Sequence, residues 1–183
     1  MRRFLVCSVF VFLSAALHAT VILPIEFREL VMTAPLIVHG QVVDVRAGWT
    51  DGRRSVETLV TIAVSEYLKG DLGERMTFRV PGGQLGRYRT IFVGAPEFRE
   101  GDEVVLFLKY QAPAYPYIIG LSQGAFRVVP EARTGRRMVT TPVVMGTGGG
   151  DPERIVRGDV TRKPLPIEAF RDAVRKVIAG ARQ

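Results

Sequence analysis

The sequence predicts a mostly β protein, a small antiparallel β-domain with a short helix near the N-terminus and an amphipathic helix at the C-terminus. Three observations lead to this fold class. Short apolar segments alternate with polar residues at a period of two, Gly, Pro and Asp residues separate these segments, and helical periodicity is confined to the two flanks. Period-two alternation is typical of strands with one buried and one solvated face.

The first three predicted strands show this alternation or a β-rich composition. Residues 36–45, LIVHGQVVDV, form a β-rich run in which Gly40 predicts a bulge or bend. In residues 59–68, LVTIAVSEYL, the apolar Val60, Ile62 and Val64 alternate with Thr61, Ala63 and Ser65, which predicts one buried and one solvated face. Residues 76–80, MTFRV, repeat the pattern, with Thr77 and Arg79 pointing outward.

The later strands differ in their burial. Residues 104–108, VVLFL, are apolar throughout, which predicts a strand covered on both faces. Strands are also expected at 117–121 and 125–129, and a weaker pair near 138–139 and 143–145.

Two helices flank the strands. Apolar residues recur at three-and-four spacing over residues 25–34, where Pro35 ends the helix, and again over residues 167–180. In the second helix Pro166 suits the first turn and Gly180 the C-terminal cap. The stretch 146–166 is rich in Gly, Pro and charge and predicts a long surface loop. The predicted division is a β-domain with its N-terminal helix over 20–145, this loop, and a C-terminal helix packed on the domain.

The first 19 residues have the layout of a secretory signal peptide. Arg2 and Arg3 precede an uncharged apolar run from Phe4 to Leu17, and small residues surround Ala19. Cleavage is expected after Ala19 or nearer to Ala16, and an uncleaved anchor is the alternative, although the run is short for a membrane span. We therefore expect an exported protein, periplasmic or extracellular, without a stable membrane span after cleavage.

Composition limits the partners of the mature chain. Removing 19 of the 183 residues takes away the single cysteine, so the core must stabilise the domain without a disulfide. The formal charge of +7 falls to +5 when Arg2 and Arg3 leave. Only 4 of 25 basic residues are lysines and asparagine is absent, a skew typical of genomic nucleotide composition rather than of a ligand. Because the protein is expected outside the cytoplasm, we predict no nucleic-acid partner.

The stretch 120–124, GLSQG, matches the G-x-S-x-G spelling of a hydrolase nucleophile elbow. That elbow needs a helix directly after the serine and a histidine later in the chain. Here an alternating strand follows, and no histidine lies beyond His39. The interpretation is that Ser122 belongs to a hairpin turn with permissive glycines at 120 and 124. A secreted hydrolase that uses Ser122, or carboxylates such as Glu66 and Asp102, is the alternative.

Metal and nucleotide sites are not expected. His39 is the only histidine left after processing, whereas a zinc site needs three or four His, Cys or carboxylate ligands. We expect a strand histidine with a satisfied ring nitrogen. The glycine-rich stretches 80–86 and 146–151 lack the Lys-Ser or Lys-Thr of a P-loop and the dinucleotide spacing. They predict turns or loops, and we predict no cofactor.

Two segments combine aromatic residues with arginines, Arg46–Ser55 and Gly86–Thr90. Their candidate ligand-binding residues are Arg46, Trp49, Arg53, Arg54, Arg87, Tyr88 and Arg89. Aromatic rings can stack on sugars, peptides or aromatic ligands while neighbouring arginines pair with anions. The alternative is that these are solvated loop arginines with one packing tryptophan.

The order of motifs over residues 34–129 adds a family resemblance. The succession APLIVHGQVV, a polar loop, VSEYLKGD, MTFRVPGG and FREGDEVVLFL resembles the netrin-like domain of tissue inhibitors of metalloproteinases. It also resembles a group of exported bacterial proteins of unknown function. The resemblance implies a small OB-like barrel, a partly open five-stranded fold whose strand face and loops bind ligands. Those inhibitors bind a protease zinc through an N-terminal cysteine and are braced by disulfides, whereas this mature chain has no cysteine, so the inhibitory chemistry does not carry over.

These observations predict an exported, non-enzymatic binding or interaction module of the cell envelope. The expected partner is a protein or an envelope polymer such as a glycan. A regulator or binder of an extracytoplasmic protease is a further alternative, implied only by the resemblance.

Overall fold

A computed structural model describes residues 24–110, 114–140 and 164–181, and within them ten strands and two α-helices. The first half contains α1 (Phe27–Thr33), β1 (Leu36–Trp49), β2 (Val56–Lys69), β3 (Arg75–Pro81), β4 (Gly83–Leu85) and β5 (Tyr88–Thr90). The second half contains β6 (Glu103–Lys109), β7 (Tyr117–Ile118), β8 (Ala125–Pro130), β9 (Arg137–Thr140), β10 (Leu165–Pro166) and α2 (Ile167–Gly180). Two short 3-10 helices, Asp51–Arg53 and Leu121–Gly124, complete the set. The predicted mostly β class, with a short N-terminal and an amphipathic C-terminal helix, is confirmed.

The long hairpin of β1 and β2 is the largest unit of the sheet. The two 14-residue strands pair antiparallel, and their register shifts between His39 and Gly40. A Cβ built at Gly40 would lie 2.5 Å from the backbone oxygen of Ala63. The bulge predicted at Gly40 is therefore confirmed, and glycine is needed there because the partner strand approaches too closely for a side chain.

Five strands pair in a ring. β1 pairs with β2, β2 with β3, β3 with β7, β7 with β6, and β6 returns to β1. All of these pairings are antiparallel except that of β3 with β7, which is parallel and has one registered pair, Arg79 with Tyr117. β8, β9 and β10 extend the sheet beyond β6, while β4 and β5 form a separate two-stranded sheet.

The central strand β6 divides the core into two clusters. Its five residues Val104–Leu108 are all fully buried, which confirms the prediction of a strand covered on both faces. Val104, Leu106 and Leu108 pack against the inner residues of β1, β2 and β3. Val105 and Phe107 face the opposite way, toward the helices.

The helices pack on this outer face. Phe27 of α1 and Phe170 of α2 contact each other with ring centroids 5.5 Å apart, and Phe170 also contacts Phe126. Lys69 Nζ donates to the carbonyl oxygens of Val31 and Met32 in the last turn of α1, where a cation is favourable because those oxygens have no partner in the helix. Burial lowers the pKa of Lys69. Neither helix within the described ranges has the length and hydropathy needed to cross a lipid bilayer.

Several predicted boundaries need correction. The N-terminal helix is shorter than 25–34, whereas the C-terminal helix begins and ends at the predicted residues. Pro166 is the N-cap residue of that helix rather than part of its first turn. Leu165 and Pro166 form β10, which pairs with β9, so the predicted loop ends in a short strand. The rest of that loop, the predicted strand 143–145 and the predicted signal peptide over 1–19 lie outside the described residues.

Candidate functional site

The structure brings the two predicted aromatic-arginine segments together. Trp49 ends β1 and Tyr88 begins β5, and their rings meet edge to face with centroids 5.0 Å apart. The guanidinium carbon of Arg87 lies 5.1 Å from the Tyr88 centroid, and its Nη2 donates to the Tyr88 hydroxyl over 3.0 Å. Trp49 is 37% and Tyr88 48% exposed. We call Trp49, Arg87 and Tyr88 the aromatic-arginine cluster; its rings hold each other in place and remain open to a ligand.

The other predicted arginines are divided between two situations. Arg46 Nε donates to Asp44 over 2.6 Å, which raises the pKa of Arg46. Strand alternation places the side chains of Arg46 and Trp49 on opposite faces of β1. Arg46 is therefore not part of the cluster. Arg53, Arg54 and Arg89 are exposed, and none of them forms an ion pair with a side chain that the structure describes.

A cleft of about 370 Å³ opens beside the cluster, between the β1–β2 loop, the ends of β3 and β7, and the segment after β5. We call it the apolar cleft, because its walls include Val56, Val80, Phe92, Pro96, Ile118 and Leu121. Its polar wall contains Thr50 and Ser55 from the β1–β2 loop. Hydrogen bonds between these two residues, and from the Val56 amide to Thr90 Oγ1, pin the loop and the segment to the sheet.

The segment Ile91–Val93 is the most exposed apolar stretch that borders this region. Ile91 is 72%, Phe92 51% and Val93 65% exposed. Phe92 also lines a second cleft of about 320 Å³, so its ring forms a wall common to both. At Gly82 the backbone has φ of +88°, and a Cβ would lie 3.0 Å from the Thr90 oxygen, so glycine allows this segment to cross close to β3. Contiguous apolar exposure next to a cleft is typical of interaction surfaces.

Two charged residues, Arg79 and Glu57, are among those that line the apolar cleft. The guanidinium carbon of Arg79 lies 5.9 Å from the ring centroid of Tyr117, its registered neighbour on β7. Neither Arg79 nor Glu57 forms an ion pair with any residue in the described part of the chain. The cleft thus offers one half-buried cation stacked on an aromatic ring.

Backbone strain is found on both sides of the same cleft. Arg53 and Leu121 are the non-glycine residues with positive φ among those described, at 52° and 57°. Leu121 lines the cleft, and Arg53 lies in the loop between the lining residues Thr50 and Ser55. Left-handed backbone costs an ordinary residue about 1–2 kcal/mol, and such strain clusters at functional sites.

Ser122 lies in the 3-10 helix between β7 and β8, where its amide donates to the Gly94 oxygen over 3.0 Å. The predicted hairpin turn was wrong, because β7 and β8 both pair with β6 and not with each other. Gly120 has a left-handed backbone, with φ of +64°. His39, the histidine within the described ranges, hydrogen bonds to Glu103 and Arg171, so it is not placed as a base for Ser122.

His39 is the centre of a polar network under α2. It is 1% exposed; its Nδ1 lies 3.3 Å from Arg171 Nη2 and its Nε2 lies 2.7 Å from Glu103 Oε1. Since an arginine only donates, Nδ1 accepts and Nε2 carries the proton that it donates to Glu103. The prediction of a satisfied ring nitrogen is therefore confirmed. Burial, the largest effect, lowers the pKa of His39 below 6.5, which favours this neutral form.

The same network attaches α2 to the sheet. Arg171 Nε lies 2.8 Å from Glu66 Oε2, at ion-pair distance but outside hydrogen-bond geometry, and Arg175 donates to Glu66 Oε1 over 2.7 Å. Arg137 of β9 reaches Glu103 over 3.1 Å. Glu66, named in the hydrolase alternative, is thus paired with two arginines. The other named carboxylate, Asp102, is paired with Arg127.

The described residues contain no group of three or more His, Cys, Asp or Glu side chains arranged to hold a metal ion. Comparisons of the chain with protein-family models, curated proteins and solved structures found no match. The resemblance to a netrin-like domain therefore stays a prediction.

Sequence reasoning located the cluster and missed the cleft. The run Ile91–Val93 was the available signal, because three apolar residues follow an arginine-rich turn without strand alternation. Arg79 gave no signal of its own: in MTFRV it occupies an ordinary outward position, and only pairing with β7 brings Tyr117 beside it.

Proposed function

We propose that this protein is an exported, non-enzymatic binding module that holds a partner on the aromatic-arginine cluster and inserts an apolar group of that partner into the apolar cleft. The observation that carries the proposal is the continuity of these features. Trp49 directly precedes the cleft-lining Thr50, and Tyr88 is followed by Thr90 and Phe92, which line it as well. Exposed aromatic side chains and arginine beside a pocket are the groups that dominate binding energy at protein interfaces.

The apolar strip Ile91–Val93 favours a protein partner over a glycan. Sugars bind through aromatic faces together with many hydrogen-bonding groups, whereas this strip offers three exposed apolar side chains. A protein segment could cover the strip and fill the cleft together, which would bury apolar area worth about 25 cal/mol per Å². An envelope glycan is the other expected partner, and a captured polysaccharide would identify it.

Export rests on the N-terminal pattern, a basic pair followed by a short apolar run and small residues. The OB-like assignment is supported by the ring of five strands with one parallel pairing. By analogy at the level of the fold, OB barrels bind ligands on strands 2 and 3 and on the adjoining loops. The apolar cleft lies at that place, between β2, β3 and the β1–β2 loop.

The first prediction concerns the cluster. Replacing Trp49 and Arg87 together with alanine should reduce capture of the envelope partner by about tenfold or more, since aromatic and arginine anchors each contribute 1–2 kcal/mol or more. Capture would be quantified by mass spectrometry after crosslinking in the native envelope.

The matched control is Val129→Ala with Arg136→Ala, an exposed apolar residue and an exposed arginine at the β8–β9 side of the sheet. Circular dichroism would verify that both double variants fold. Unchanged capture by a folded Trp49→Ala/Arg87→Ala variant would move the binding surface elsewhere.

A further inference from the structure

We infer that the apolar cleft takes a ligand group that is apolar and carries one negative charge, and that Arg79 holds this charge. The inference rests on the proposed function and specifies the chemistry of the ligand. It depends on the position of Arg79 between an aromatic ring and a cleft whose other walls are largely apolar.

Arg79 is positioned by the sheet rather than by a loop. It lies on β3 between Phe78 and Val80, which are both buried, while its own side chain is half-buried. Its amide donates to the Pro116 oxygen over 2.9 Å, which sets the parallel register that brings Tyr117 alongside. Because the contact with the Tyr117 ring already restricts the guanidinium, less side-chain freedom would be lost on binding.

The guanidinium of Arg79 has a stacking partner and no acidic one. Stacking on Tyr117 leaves the N–H groups at the edge of the guanidinium plane available to an anion. No carboxylate in the described part of the chain pairs with it. A half-buried cation beside apolar walls gains more from an anion than a solvated one does, since the local dielectric constant is lower.

Glu57 limits the ligand to a single negative charge near Arg79. Glu57 pairs in register with Pro81, two residues from Arg79, so both side chains lie on the same side of the β2–β3 ladder. A second anionic group would meet this carboxylate and be repelled. Removing the charge with Glu57→Gln should therefore tighten binding of an anion.

The approach to the cleft is positive. Arg53, Arg54, Arg87 and Arg89 are exposed on the two segments that border it, and none of them forms an ion pair with a side chain that the structure describes. Such a field attracts an anionic ligand and increases its association rate at low salt.

Two dyes of similar shape test the inference. 1-Anilinonaphthalene-8-sulfonate is apolar with one negative charge, and N-phenyl-1-naphthylamine has the same rings without the charge. The protein should bind the sulfonate, and Arg79→Gln should weaken that binding by about tenfold or more, because a hydrogen bond to a charged group is lost. Binding of the neutral dye should change less than about twofold, and Arg79→Lys should retain part of the affinity for the anion.

The control is Arg75→Gln, an exposed arginine on the same strand that does not line the cleft. Dye fluorescence would be titrated, with the emission of Trp49, the only tryptophan of the chain, as a second probe beside the cleft.

The outcomes separate the inference from the proposed function. Weaker binding of the anion alone in Arg79→Gln, with Arg75→Gln unchanged, supports the inference. Equal binding of both dyes by Arg79→Gln and the natural protein overturns it and leaves the cleft as an uncharged apolar site. If neither dye binds, the inference and the apolar role of the cleft both fail, while the role of the aromatic-arginine cluster is still decided by the capture experiment.

Discussion

Replacing Phe170 with alanine is expected to lower the free energy of unfolding by about 3–5 kcal/mol. Phe170 is 1% exposed and contacts the rings of Phe27, Phe107 and Phe126. Alanine would leave a cavity between α2 and β6 and remove the edge-to-face contacts, whose energy adds to that of burial. Urea unfolding followed by circular dichroism would measure the change.

The control for this prediction is Lys176→Ala on the exposed face of the same helix. It should change stability by less than about 0.5 kcal/mol. If Phe170→Ala cost less than about 1 kcal/mol, α2 would not belong to the cooperative core, and the packing of helix on sheet described above would be wrong.

The stability of the protein is expected to fall as the pH is lowered from about 7.5 to 5.5, and His39 is the cause. Burial lowers the pKa of His39 in the folded state, whereas the unfolded chain has the ordinary value of about 6.5. Between these two values the unfolded chain binds a proton that the folded protein does not bind, so stability decreases with falling pH. For one proton the slope cannot exceed about 1.4 kcal/mol per pH unit.

The groups around His39 account for the lowering of its pKa. Glu103 favours the charged ring, whereas burial, Arg171 and Arg137 oppose it, and burial is the largest effect. Protonation would also place a hydrogen on Nδ1, which faces the guanidinium of Arg171. The hydrogen bond between His39 of β1 and Arg171 of α2 would then be lost.

Urea unfolding at pH 7.5, 6.5 and 5.5 would measure this dependence. His39→Gln is the matched variant, because its amide can still donate to Glu103 while it does not titrate. The variant should lose most of the slope above pH 5.5. An unchanged slope in His39→Gln, or a stability that rises as the pH falls, would show that His39 does not control this dependence.

The parts of the fold that were predictable from sequence are those that depend on local pattern. Alternation in β2 and β3, the uniformly apolar β6 and the limits of α2 were all visible, because burial of one face or of both faces leaves a direct mark on the residue pattern. The bulge at Gly40 was visible for the same reason, since a lone glycine inside an apolar strand is typical of a bulge or of a close backbone approach.

Pairing between distant strands was not predictable in this way. β7 has two residues, which is too short for a residue pattern that would identify its partners. Its pairing with β3 and β6 is seen only in the folded chain. The hairpin expected around Ser122 failed because the next strand pairs with β6 instead. The apolar cleft was not predicted for the same reason, since it is formed by four segments that are distant in sequence.

Site-specific photo-crosslinking in the native envelope tests the binding surface most directly. A photoreactive phenylalanine analogue would replace Tyr88 in the aromatic-arginine cluster, and in a second variant it would replace Val129 on β8, which is 40% exposed. We expect a discrete covalent adduct with the partner from position 88 and none from position 129. An adduct from position 129 alone, with both variants folded and exported, would contradict the account.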